Sequence, residues 1–152
     1  MKLIQRIGNK QSRKVLEKDI AKIRKLIPDI HATCHEPIGF HKHGAMAITH
    51  CQVDQKDPMR FFVLVDGSTV INPVIKKYVG EIVRHEEGCM SYVDTNHLIG
   101  VDRYKKLIVS FTGLADADSE LEEIECIPMT GDLAYIFQHE VDHMNGKHIY
   151  PS

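Results

Sequence analysis

Excess charge of either sign is missing from this 152-residue sequence: 19 Lys and Arg face 21 Asp and Glu, a formal net charge of −2. That absence removes any general pull toward nucleic acid or an anionic membrane surface. No apolar run approaches the ~20 residues that cross a bilayer, and no secretory apolar core is present. No membrane association is expected, and the expected location is cytoplasmic. The four cysteines, Cys34, Cys51, Cys89 and Cys126, form no CxxC and no framework spacing. Reduced thiols are therefore expected rather than a disulfide scaffold. Repeats and low-complexity tracts are absent too, which excludes solenoids and linkers. What is left is a length suited to one domain over residues 1–152, with 43% hydrophobic residues to fill its core. A monomer is expected. Residues 1–16 carry Lys2, Arg6, Lys10, Arg13 and Lys14 without an acid. A transit peptide has this composition as well, but a solvated basic helix face is the expectation.

Hydrophobic spacing supplies the elements. Val15, Ile20, Ile23 and Leu26 predict an amphipathic helix over residues 11–27, stopped by Pro28. A loop with prolines and glycines follows to residue 44. Residues 45–53 and 59–65 read as strands, separated from the next run by a turn at Asp66–Ser68. Residues 69–75 read as a short extended segment, with Pro73 marking an edge or an end. A strand from Leu107, a turn at Asp116–Ser119 and a return through "ELEEIECI" predict a hairpin. Leu133, Ile136, Phe137, Val141 and Met144 then trace a helical stripe that Gly146 ends. The fold class is α+β: antiparallel strands packed around a C-terminal helix.

That helix carries "HEVDH". His139 and His143 are four apart and share a face, and Glu140 borders the apolar stripe. A buried carboxylate without a partner costs several kcal/mol. A metal ion bound by both imidazoles, with the carboxylate just outside, meets that need. HExxH also arises by chance on helices with exposed histidines, so the motif's place beside an apolar stripe matters. A catalytic site takes three protein ligands and leaves a position for water. Cys89 is the best candidate for the third, because its thiolate suits Zn²⁺ or Fe²⁺ and Gly88 lets the backbone come close.

Two segments carry a family resemblance. "EGCMS", residues 87–91, and "QHEVDHMNG", residues 138–146, resemble the second and third signatures of peptide deformylases. "VINPVI", residues 70–75, is similar to the segment that precedes the cysteine motif in that family. The resemblance covers residues 44–149. It implies hydrolysis of the N-formyl group from N-formylmethionyl peptides of nascent chains, releasing formate. It implies Cys89, His139 and His143 as metal ligands and Glu140 as general base and acid. The metal would be Fe²⁺ in cells, with Zn²⁺, Ni²⁺ or Co²⁺ as substitutes.

By the same resemblance, the backbone N–H of Met90 and a glutamine amide from the first signature stabilise the oxyanion. That signature departs from the family pattern in "HGAMAITHCQV". Ala45 replaces a glycine, and either His50 or, after two inserted residues, Gln52 takes the glutamine's place. Gln52 is preferred because the Gln-Val-Asp run looks native to the family. Ala45, Met46, Glu87, Gly88, Tyr135 and Ile136 are the expected substrate-binding residues. Met46 would offer backbone hydrogen bonds to an extended peptide. Glu87 would shape the methionine pocket or bond to a ligand. Asp142 and His148 are expected to be solvated, and Leu133 and Phe137 to be core. Ser152 follows His143 by nine residues, so a short, C-terminally truncated member is expected. The departure leaves two alternatives open: a deformylase-like binder without turnover, and, less favoured, an HExxH protease.

Overall fold

The computed structural model describes residues 1–38, 42–92 and 97–150. Its elements run in the order α1 (Ile20–Cys34), β1 (Ala47–Thr49), β2 (Phe61–Leu64), β3 (Thr69–Glu87), β4 (Ile99–Leu114), β5 (Glu122–Thr130) and α2 (Gly131–Met144). Short 3₁₀ turns at Glu17–Asp19 and His50–Gln52 precede α1 and follow β1. The five strands form one antiparallel sheet in sequence order. This is the α+β arrangement that the hydrophobic spacing predicts.

The two helices pack on opposite faces, and β2 shows why. Alternate side chains of a strand point to opposite sides. Phe61 and Val63 join Ile23, Ile27 and Ile30 of α1 in one core. Phe62 joins Leu107, Val109, Phe137 and Met144 in the core around α2.

The first helix lies further along the chain than its spacing predicts. Residues 11–16 are not helical, because their backbone is held elsewhere. Val15 N–H donates to Asn72 Oδ1, and Asn72 Nδ2 donates back to Val15 O. Arg60 N–H donates to Arg13 O. The basic segment is therefore no helix face, and Leu3, Ile7 and Val15 are buried. Pro28 sits inside α1 rather than ending it. A proline in a helix interior costs ~3 kcal/mol. Burying an isoleucine contributes roughly 1.5–3 kcal/mol, and Ile23, Ile27 and Ile30 are all fully or nearly fully buried. Packing outweighs the lost bond. Of the loop expected after Pro28, residues 28–34 are helical and residues 39–41 lie outside the described residues.

β3 is likewise longer than predicted. Asn72 and Pro73 fall in a register shift between Ile71 and Val74, so the strand continues past the proline. Asn72 has φ +51°, and its N–H leaves the ladder for Arg60 O. On its other side, β3 pairs with β2 only over Thr69, Val70 and Ile71. Beyond that point β3 is an edge, as Pro73 suggests, and it runs on to Glu87 at the start of the cysteine motif.

On α2 the buried apolar stripe is Ala134, Phe137, Val141 and Met144. Leu133 is 40% exposed, contrary to its expected core position. The stripe keeps Phe137, Val141 and Met144 as predicted but takes Ala134 in place of Leu133, and Gln138, Glu140 and His143 are buried with it. Gly146 ends it with φ +79°, and a Cβ there would collide with the Asn9 carbonyl. Replacing Gly146 by Ala is expected to lower unfolding stability by at least ~1–3 kcal/mol, read as a lower denaturant midpoint with an unchanged slope.

Candidate metal centre

The end of β3 delivers Cys89 opposite the inner face of α2. Cys89 Sγ lies 3.5 Å from His143 Nε2, which lies 3.0 Å from His139 Nε2. The three ligand atoms all fall within 4.8 Å of one another. Cys89 and His143 are buried. Burial, reinforced by the neighbouring His139, pushes His143 well below the ordinary histidine range. Its Nε2 is turned toward the thiol and the other imidazole.

Glu87 orients the second ring. Its Oε1 accepts from His139 Nδ1 at 2.7 Å, which fixes the ring with Nε2 facing inward. Arg103 of β4 donates to both oxygens of the same carboxylate, at 2.9 and 2.7 Å, and His85 Nδ1 is 2.9 Å from Oε2. Burial opposes the charged form of Glu87, but the bonds from Arg103 and His139 outweigh it and hold its carboxyl below the usual range. The remaining Arg103 nitrogen reaches Asp142 Oδ2 on α2 at 2.6 Å. Asp142 is thus an ion-pair partner rather than a merely solvated acid. Its partner Arg103 carries no signal in a sequence, because arginines are mostly exposed. His148 is half-buried, with Nδ1 2.7 Å from Tyr150 O.

A cavity of about 240 Å³ opens beside the ligands. Ala45, Met46, Glu87, Gly88, Tyr135 and Ile136, the six predicted substrate residues, all line it, together with Gln52, Met90 and Glu140. The Tyr135 ring stacks on His85 at 4.3 Å. Glu140 is 4% exposed, and its Oε2 accepts from the Thr49 hydroxyl. Burial pushes the Glu140 carboxyl up. Thr49 lies inside the departing first signature, at a position with no motif role to mark it.

Gln52 and His50 are separated by the 3₁₀ turn that holds both. Such a turn has three residues per revolution, so side chains two apart diverge. Gln52 Oε1 accepts from Thr49 N–H at 2.9 Å, while its Nε2 donates to Ser91 Oγ at 3.1 Å and lies 3.7 Å from Cys89 Sγ. His50 points the other way. Its Nδ1 accepts from Met59 N–H at 2.9 Å, and its ring stacks on Phe61 at 4.8 Å.

A thiol, two imidazoles and a buried glutamate at a cavity wall define a metal-dependent hydrolase of the HExxH type. Comparison with known proteins narrows this. The family model for polypeptide deformylase matches residues 2–151. Peptide deformylase 1 of Pseudomonas syringae pv. tomato is 31% identical over 132 residues, covering 82% of this chain and 68% of that protein. The crystal structure of the Thermotoga maritima enzyme superposes with a TM-score of 0.76 at 26% identity, covering 99% of this chain and 97% of that one. The deformylase of the Vibrio parahaemolyticus bacteriophage VP16T, solved with actinonin, gives 0.74 at 25% identity, with 98% and 100% covered. The chain belongs to the peptide deformylase family, and Cys89, His139 and His143 form its metal site. No described helix is long and apolar enough to cross a membrane.

The buried His50 ring makes stability depend on pH. Burial lowers its pKa to about 4, against ~6.5 in an unfolded chain. Between these values the unfolded state binds the extra proton, so stability falls as pH drops from ~6.5 toward 4. In His50→Gln, which keeps an acceptor for Met59 N–H, acid unfolding profiles should lose this component, on the order of 3 kcal/mol.

Proposed function

We propose that this deformylase removes the N-formyl group from N-formylmethionyl peptides of nascent chains, with Glu140 as general base and acid. The observation that supports the reading most is Glu140, buried in the cavity wall beside three converging ligand atoms. The donor set fits a divalent ion of borderline softness: one thiolate and two imidazoles, one with its Nδ1 proton engaged by Glu87. Among the described residues three donors converge, the count of a catalytic site, whereas a structural zinc would want a fourth. Fe²⁺ is proposed as the ion in cells, with Zn²⁺, Ni²⁺ or Co²⁺ able to replace it. Lewis acidity and activation of water near neutral pH are what that ion supplies when bound.

The rest falls to the chain's own groups. Thr49 holds one oxygen of Glu140. The carboxylate takes the proton of the attacking water and passes a proton to the departing amine, so that formate and a free amino terminus result. The Gln52 amide, poised beside Cys89, and the Met90 N–H donate to the oxyanion that develops on the formyl carbonyl. Met46 offers backbone to an extended peptide in the manner of an added strand, with Ala45 and Gly88 lining the cavity beside it. Glu87, Tyr135 and Ile136 border the methionine side chain. The same reading makes the protein a single-domain cytoplasmic monomer.

Formate release from a formyl-Met tripeptide, with Fe²⁺ or Ni²⁺ loaded anaerobically and metal measured on the same sample, tests this. Glu140→Ala should keep the ion and lose roughly 10²–10⁴ in kcat. Cys89→Ala should lose the ion. Activity retained in the Glu140 variant would count against the mechanism. Gln52→Ala should cost ~10²–10³ in kcat, and His50→Ala should not reproduce that loss. Actinonin, present in the phage relative's structure, should raise Tm.

A further inference from the structure

A second group of metal-type donors lies on α1, away from the motifs. His31 and His35 are one helical turn apart near its C-terminal end. Their Nε2 atoms are 3.4 Å from each other. Each is 2.9 Å from the carbonyl oxygen of Val65, just past β2. Two imidazole nitrogens ~2.0–2.1 Å from one zinc-like ion sit ~3.4 Å apart at a tetrahedral angle. The spacing between the rings therefore already matches that of two ligands on one ion.

The site is also built rather than incidental. His31 is half-buried, and its ring packs on Gly67 so closely that a Cβ there would lie 3.0 Å from it. Gly67 has φ +90° and turns the chain back after Val65. Asp66 adds a carboxylate beside the carbonyl, tied down by Ser68 N–H and Oγ. Without an ion, two ring N–H groups share one carbonyl. With one, each Nε2 lone pair turns to the cation, the ring proton moves to Nδ1, and the Val65 oxygen becomes a third donor.

We propose that His31, His35 and the Val65 carbonyl form a second site for a borderline divalent cation, of the Zn²⁺, Ni²⁺ or Cu²⁺ kind. Waters complete the coordination. The site braces the cavity wall. Val65 N–H donates to Met46 O at 2.9 Å, and Ala45 N–H donates to Cys34 O at 2.8 Å. An ion clipping α1 to Val65 holds the backbone of Ala45 and Met46 from both sides. That consequence for peptide binding rests on the function proposed above; the site itself does not.

Zinc titration of the full chain against a chromophoric chelator tests the site. Wild type should take two equivalents. The double variant His31→Gln, His35→Gln should take one, and Cys89→Ala should also take one. In ¹⁵N-labelled Cys89→Ala, zinc should shift the Nε2 resonances of His31 and His35. The single change His35→Gln, at an exposed residue, provides a variant that keeps the fold and should lose the second equivalent. One equivalent in wild type, or two persisting in the histidine variants, would overturn the proposal. Because Cys89→Ala reads the second site alone, a failure of the catalytic centre is seen separately.

Discussion

A buried carboxylate holds this structure's functional end together. Glu87 closes β3, Arg103 belongs to β4, and His139 and Asp142 belong to α2. All four meet in one hydrogen-bonded group. Taking a charge out of water costs several kcal/mol, and only good geometry with every lone pair used offsets it. The bidentate contact from Arg103 and the bond from His139 provide that geometry. The consequence is positional. Cys89 is two residues beyond Glu87, so the place of the thiol and the angle of the imidazole are both set by the same carboxylate.

The sheet makes this meeting possible. A strand interrupted at Asn72 and Pro73 would normally end there. The register shift lets β3 bend and run on as an edge to the cysteine motif. The β4–β5 hairpin then returns the chain to Thr130, paired with Lys106 of β4, and α2 starts there. The roughly fifty residues between Cys89 and His139 are therefore the length of a hairpin plus the first turns of a helix. α1 covers the opposite face, and its packing is strong enough to keep Pro28 in the helix interior.

Much of the metal centre was legible because its chemistry is written locally. His139, Glu140 and His143 share a helical turn, and Cys89 follows a glycine that lets the backbone approach an ion. The oxyanion donor was less legible: His50 and Gln52 are two residues apart, and only the 3₁₀ turn separates their directions. Arg103 and Thr49 were invisible, since an arginine in a strand and a threonine before a turn read as surface or filler. His31 and His35 were hidden by the expected loop after Pro28, because a histidine pair four apart converges only on a helix.

By itself the sequence determined the fold class and the C-terminal helix with His139, Glu140 and His143 on it, because short-range periodicity and residue chemistry decide these; Cys89 was marked by its chemistry and by the resemblance of its segment to the family's second signature. Tertiary structure decided where α1 begins and that it passes through Pro28, since core burial outweighs a local propensity. It also decided that Gln52 rather than His50 faces the cavity, and that Arg103 neutralises Glu87. These depend on contacts between residues far apart in the chain, whose energies have no trace in local spacing.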